Sequence, residues 1–325
     1  MIMILSNKWD VTVDFVVAEL QSRHIEFLRV NTEDLIKGCA TVSLPDFRIR
    51  VSKRDKIHDI TQKINVIWNR RPGKPFDDFP KDQRPSEAVQ SFVNDQWYSL
   101  LEAIQLIPNI TWVNDPKAND AAENKIRQLF IASKIGFEIP ETVITNDPEH
   151  AKYLLNRHNK NAVTKALYSP LIEEPEKDYF IFTNTIRELN QIPEEDIRIS
   201  PTIFQQALIP KFDYRITVIG EKVFSVRIER KDGANLDIDW RTEKRDIDFI
   251  QQKLPPDIEK LCCRYVQECN LLFGAIDLVE HKGEFYFLEI NPNGEWGWLQ
   301  KPHNVPIAEA LCDLLVYYDK RLNTA

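Results

Sequence analysis

The apolar positions open in a β-α-β rhythm. The run MIMIL reads as a strand from Met1 to Leu5, and beyond a polar turn the spacing predicts an amphipathic helix from about Val11 to Arg23. A second strand follows at Ile25 to Val30, the start of a doubly wound α/β lobe. Shorter β-like pieces continue at Ala40 to Leu44, Phe47 to Val51 and INVIWNRRP, Ile64 to Pro72. A Pro-rich polar loop, a long helix from about Ser86 to Leu106 and a short strand in TWVNDP (Thr111 to Pro116) complete a first domain, residues 1–115.

Residues 116–207 read as a small α+β lobe. A helix from near Ala118 carries NKIRQLFIASKIG, with Gly136 as its stop. A strand (Ile139 to Thr145), a helix (Pro148 to about Asn159) and a strand (Ala162 to Leu167) follow, then a loop from Tyr168 to Asp178 and the strand YFIFTN. The third domain, residues 208–325, is β-rich, with TIFQQAL leading into it. Hairpins turn at Gly220 to Lys222 and at His281 to Gly283, flanked by helices at Asp257 to Cys269 and Pro306 to Asp319.

Composition adds exclusions. The 325 residues are 43% hydrophobic and 28% charged, an ordinary globular mixture with room for two or three lobes. No apolar run approaches the ~20 residues of a membrane span. The N-terminus lacks a basic leader and cleavage site, so a cytoplasmic protein is expected. A net charge of −8 argues against nucleic acid as a partner. The first β-α turn, SNKWDVT, lacks the dinucleotide glycines, which argues against a nicotinamide or flavin cofactor. Cys39, Cys262, Cys263, Cys269 and Cys312 have no paired metal spacing and are read as free thiols.

Chemistry enters at GAIDLVEHKGEFYFLEINPNG, where two apolar strands carry acids that a core would exclude. Glu289 and Asn291 are two apart and share a face. A three-residue loop at His281-Lys282-Gly283 would pair Glu280 with Glu284 and bring Asp277 to that same face; a two-residue turn would send Asp277 to the other. Two carboxylates and an amide oxygen on one face suit magnesium, whose remaining positions go to water and phosphate. The plainer alternative is that these acids pair with Lys or Arg, or face water.

There is no Walker loop, so a phosphate site would have to be built from side chains. Lys125 begins a helix and Lys165 interrupts an apolar strand, where an ammonium needs an anion. Gln205, Gln206, Ala207 and Leu208 leave a strand where backbone groups can read adenine. Asp213 and Arg215 alternate into the next strand and read equally as a structural ion pair. Arg227, Arg230 and Arg241 are further cations suited to phosphate or carboxylate, or to plain surface charge, and Arg70 and Arg71 form a basic patch suited to an acidic peptide or to salt bridges between lobes.

The order of IWNRRP, WVNDP, NKIRQLFIASKIGFEIPETVITN, VTKAL, FQQALIPKFDYRITVIGEKVFSVRI, DIDWR and LEINPNGEWGW resembles the ATP-grasp superfamily. More narrowly it is similar to the graspetide synthetases, microviridin-type maturases that close side-chain ester or amide links in ribosomal peptides. The resemblance implies an ATP-grasp fold, mixed α/β and α+β, behind an N-terminal α/β lobe. It implies that Asp277, Glu289 and Asn291 hold magnesium, as two ions. Lys125 and Lys165 would meet ATP phosphates, with Gln205 to Leu208 on the adenine, Asp213 near the ribose and Arg241 at the phosphate or acyl phosphate. Lys165 and Arg241 would be catalytic. Arg70, Arg71, Arg215 and Arg227 are candidates for the substrate peptide, a precursor with a leader; a homodimer is implied too. Gln206 stands where many relatives have Glu, and the Tyr168 to Asp178 loop lacks the glycine of a phosphate lid.

The expected activity is phosphorylation of Asp or Glu side chains of the precursor, followed by closure onto Ser/Thr hydroxyls or Lys amines. Two rivals stand beside it. One is a ligase that adds glutamate or another amino acid to a protein or peptide carboxylate; the other is a non-catalytic module that senses nucleotide or peptide.

Overall fold

The computed structural model describes the chain except at residues 54–55, 169–170, 173–178, 182, 187–188, 190–191, 234–239, 241–246 and 324–325. β1 (Ile2–Ser6) is buried on both faces, the signature of a parallel strand covered from two sides. Asp10 caps α1 (Val11–Ser22) by accepting the Thr12 N–H at 3.0 Å, and β2 (Phe27–Asn31) returns parallel to β1. β3 (Ala40–Ser43), β4 (Arg48–Lys53) and β5 (Lys56–Asp59) form a separate antiparallel sheet, of which β5 was not expected. β6 (Val66–Asn69), α2 (Glu87–Glu102) and β7 (Thr111–Val113) complete a parallel sheet of order β2-β1-β6-β7. Met3 and Leu5 pack with Ile49, Val51 and Ile60 beneath Trp97 and Leu101.

The second unit, Ala118–Asn270 with Gly274–Gly294, opens with a departure from expectation. The single helix predicted from near Ala118 is two, α3 (Pro116–Glu123) and α4 (Lys125–Ile135). Asn124 breaks them: its backbone is extended and its side chain accepts the Arg127 N–H at 3.0 Å. Gly136, at φ 107°, ends α4 in the left-handed conformation as predicted.

β8 (Thr142–Thr145), α5 (Pro148–Arg157) and β9 (Ala162–Lys165) follow. The described parts of the expected loop are not all loop, because β10 (Leu171–Ile172) pairs with β11 (Tyr179–Phe180). The strand expected in YFIFTN is likewise divided, between β11 and β12 (Asn184–Ile186). After α6 (Glu194–Ile199), β13 (Thr202–Gln206) completes a sheet of order β12-β9-β13-β8.

The larger sheet of this unit comprises β14 (Phe212–Ile219), β15 (Lys222–Arg230) and β16 (Ile247–Gln251), then α7 (Pro256–Glu268), β17 (Phe273–His281) and β18 (Glu284–Asn291). Its order is β16-β15-β14-β17-β18. One face packs on α4 and α7, where Tyr265 lies 4.6 Å from Phe287 between ring centroids. α8 (Gly297–Gln300) and α9 (Ile307–Asn323) rejoin the first unit, Met1–Lys117, Leu271–Phe273 and Glu295–Ala325. α9 packs on α1 and β1, and Asp319 accepts from the Met1 ammonium at 2.6 Å.

Candidate active site

The β17–β18 hairpin turns on two residues, not three. His281 pairs with Glu284, and Lys282 (φ 54°) and Gly283 (φ 85°) make a turn of the I′ kind. Continued regularly, that register would put Asp277 opposite Leu288. A β-bulge intervenes: Leu278 pairs with Phe287 but Asp277 pairs with Glu289, so Leu288 is the extra residue. The bulge reverses the parity set by the turn. Asp277, Glu289 and Asn291 therefore share a face after all, by a route the sequence reading did not foresee.

On that face the Asn291 amide lies 3.4 Å from Asp277 Oδ2. Rotating the amide about its terminal bond presents its oxygen to the same point. Both acids already meet cations: Arg215 Nη1 donates to Asp277 Oδ1 at 2.8 Å, and Lys125 Nζ is 3.5 Å from Glu289 Oε2. Lys125 also donates to the Ala166 carbonyl at 3.1 Å, just beyond Lys165 at the end of β9. Two cations, two carboxylates and an amide are thus gathered together. The ion-pairing alternative and the ligand-binding one describe the same cluster.

Gln128 fixes the strand that carries the acids. Its buried side chain donates to the Ile290 carbonyl at 3.0 Å and accepts the Ile290 N–H at 3.2 Å, between Glu289 and Asn291. The sequence reading missed it, although Gln128 stands three residues after Lys125 on α4 and so shares its side. Gly294 closes the turn after Asn291, donating its N–H to the Asn291 carbonyl at 3.0 Å. A Cβ there would collide with Ala275, which pairs with Asn291.

The β12-β9-β13-β8 sheet offers a complementary surface. Lys165 pairs with Ile203 and Val163 with Gln205, so these four side chains lie on one face. Phe204 and Ala162 face the other way, into the core beneath α5. Val163 and Ile203 form an apolar floor between Gln205 and Lys165, a contribution the sequence did not single out. Gln205 Nε2 donates to Thr142 Oγ1 at 2.9 Å. The backbone N–H groups of Gln206 and Ala207 go to the carbonyls of Glu141 and Asn161, whereas Leu208 N–H has no acceptor among the described residues.

The other predicted residues fall differently. Asp213 does not pair with Arg215: it is buried with Lys211, which reaches both its oxygens at 2.7 Å. Arg227 pairs across β14 with Tyr214, whose hydroxyl donates to Glu280 at 2.7 Å. Glu280 is three residues from Asp277 on β17, so Arg227 stands on the opposite face of the sheet from the acids. There it pairs with Glu229 and lies 4.9 Å over the Phe212 ring. Arg230 pairs with Asp232 at 2.9 Å.

Arg70, expected among the peptide-contacting residues, is 1% exposed and lies against Asp10 at 2.9 Å. Burial, reinforced by Arg71, pulls its guanidinium pKa down, and Asp10 opposes the shift. Arg71 is at the surface, paired with Glu295. Arg241 lies outside the described residues. All five cysteines are free thiols. Among the described residues no helix is long and apolar enough to cross a membrane, and no cluster of three His, Cys, Asp or Glu side chains suits a metal. The Asp277–Glu289–Asn291 set, with two carboxylates and an amide, is of another composition. It fits a hard cation that takes its remaining ligands from phosphate and water.

The family model of the RimK-like ATP-grasp domain matches residues 122–315. Over 97% of this chain and 96% of its own, the structure of a Chryseobacterium gregarium RiPP-associated ATP-grasp ligase, in complex with ADP and a leader and core peptide, superposes with a TM-score of 0.83 at 26% identity. The macrocyclase MdnC of Microcystis aeruginosa MRC, bound with precursor peptide MdnA, shares the fold over 97% of this chain and 99% of its own (TM-score 0.85, 22% identity). A tetrahydromethanopterin:alpha-L-glutamate ligase of Methanocaldococcus jannaschii is 24% identical over 217 residues, 64% of this chain and 71% of that protein.

Proposed function

This chain belongs to the RimK-like ATP-grasp family, and from that premise we propose that it is an ATP-dependent macrocyclase of a ribosomally made precursor peptide. The observation that carries the reading is the bulged hairpin. It sets Asp277, Glu289 and Asn291 on one face, with Arg215 and Lys125 already on the two acids. The likeness to the peptide-bound Chryseobacterium ligase, which extends through the N-terminal lobe, supports a peptide as substrate.

ATP would lie with its adenine on Val163 and Ile203, read by Leu208 N–H and the Gln206 backbone, and with its ribose toward Asp213. Lys125 and Lys165 would exchange their protein partners for phosphate oxygens. Magnesium held by Asp277, Glu289 and Asn291, as two ions, would neutralise charge on the phosphates. Arg215, beside Asp277, would orient the Asp or Glu carboxylate of the peptide, and Arg241 would complete the anion site. An oxygen of that carboxylate attacks the γ-phosphorus and the bond to ADP breaks, leaving an acyl phosphate. A Ser or Thr hydroxyl, or a Lys amine, of the same peptide then attacks the carbonyl. Phosphate leaves and the nucleophile gives up its proton, so each ring closed costs the peptide one water.

Incubation with ATP, magnesium and a short co-encoded Thr/Glu- or Lys/Asp-rich peptide tests this by mass spectrometry. Loss of one water per link is expected, and Glu289→Ala or Asn291→Ala should lower turnover by about 100-fold or more. Undiminished turnover in both variants would refute the site. The glutamate-ligase relative favours a second reading, addition of an amino acid to a protein or peptide carboxylate. A gain of one residue's mass, with free glutamate present, would select it.

A further inference from the structure

The parallel sheet of the first unit has a topological switch point of its own. In an open α/β sheet, ligands settle at the carboxyl ends of the strands where the order of connection reverses, because the loops part there. In the order β2-β1-β6-β7 that point lies between β1 and β6. The loops leaving it are Asn7-Lys8-Trp9-Asp10 and Arg70-Arg71-Pro72-Gly73.

Asn7 ties these loops together. Its amide N–H donates to the Arg71 carbonyl at 2.8 Å, and its Oδ1 accepts the Trp9 backbone N–H at 2.9 Å. The Asn7 carbonyl is held in turn by Arg29 at 2.8 Å, and buried Arg70 braces the base against Asp10. On this framework Trp9 stands 74% exposed. Val11 is exposed beside it. A large apolar ring left in water, on a backbone held by Asn7, is an aromatic platform awaiting a partner. On the other loop the Arg71 guanidinium already holds a carboxylate, that of Glu295. Both side chains are largely exposed, and such a pair contributes little and exchanges readily.

We propose that the loops at this switch point dock a carboxylate-bearing segment of the substrate peptide. Trp9 packs on an apolar or aromatic side chain, and a peptide Asp or Glu displaces Glu295 from Arg71. Glu295 is thus an internal competitor that sets a threshold for acidic ligands. That the ligand is a peptide rests on the macrocyclase reading; the platform and the exchangeable pair stand on this unit's own geometry.

The test reads binding without turnover. The probe is a fluorescein-labelled, amidated octapeptide with alternating glutamates and one tyrosine, titrated by anisotropy against the full chain, with an all-Gln twin as control. The Glu probe should bind at least about tenfold more tightly than its twin. Arg71→Asn and Trp9→Ala should each lose about tenfold, and Glu295→Gln should gain several-fold, to about fivefold. Asparagine tolerates the φ of 48° at position 71, and Glu295→Gln leaves the backbone untouched, so misfolding cannot imitate both results. Equal binding of the two probes, or Arg71→Asn and Glu295→Gln both within about twofold of the parent, would overturn the proposal. If the acidic probe binds as described but no peptide ever loses water, the macrocyclase reading fails and this one survives. Ring closure that is indifferent to both variants would overturn the docking site and leave the macrocyclase reading intact.

Discussion

Glu33 illustrates what a single residue contributes. It is wholly buried; one oxygen accepts the Lys8 N–H at 2.7 Å and the other has no partner among the described residues. Burial pushes its pKa up, the Lys8 N–H opposes, and nearby Asp34 and Asp78 add to the rise. The folded chain therefore keeps this proton to a higher pH than the unfolded chain, whose carboxyl titrates at about 4.3. Glu33's share of stability is full below that value and is lost as pH rises through the folded one. Glu33→Gln keeps an acceptor for Lys8 and removes the charge. It should be more stable than the parent at neutral pH, by about 1–2 kcal/mol, with the gain fading below the carboxylate range. Urea midpoints across a pH series check this, and a pH-independent difference would count against it. The candidate ligands were visible at this scale because an acid in an apolar strand is conspicuous. Buried Glu33 was not, since TEDLIK carries its acids like any polar turn.

At the scale of elements, the decisive feature is the bulge. The turn was misjudged by one residue and the bulge restored the parity, so the face came out right through two offsetting irregularities. Phe285, Tyr286, Phe287 and Leu288 are four apolar residues in a row. This break in alternation marks an irregular strand without revealing which residue is extra, because that depends on the partner strand. Gln128 holds the segment just past the bulge from α4. Gln128→Ala leaves the Ile290 N–H and carbonyl without these partners in a buried place. It should cost about 2–3 kcal/mol in chemical denaturation. A loss below about 0.5 kcal/mol would mean that the strand does not depend on the helix.

For the whole molecule, the first unit is completed by the end of the chain. α9 packs on β1, where Ile2 and Ile4 point away from the Met3 and Leu5 core, and Asn65 donates to Asp319 at 2.8 Å. A chain ending at Gly294 loses that cover. In hydrogen exchange its β1 and β6 amides should lose protection by about 100-fold or more, while β14 and β15 keep theirs. Protection retained in β1 would show that the lobe needs no help from the C-terminus.

The sequence by itself determined much of the succession of strands and helices, the stop at Gly136, and the acids, amide and lysines of the candidate site. These follow from local periodicity and from residue chemistry, which neighbours in the chain suffice to express. Only the tertiary structure decided the register beyond the bulge and the choice of Lys211 over Arg215 as partner of Asp213. It alone placed Arg227 on the far face, buried Arg70 and brought α9 back to β1. Each of these is a pairing between distant segments, settled by which side chains can be buried or neutralised together, and no local pattern encodes that choice.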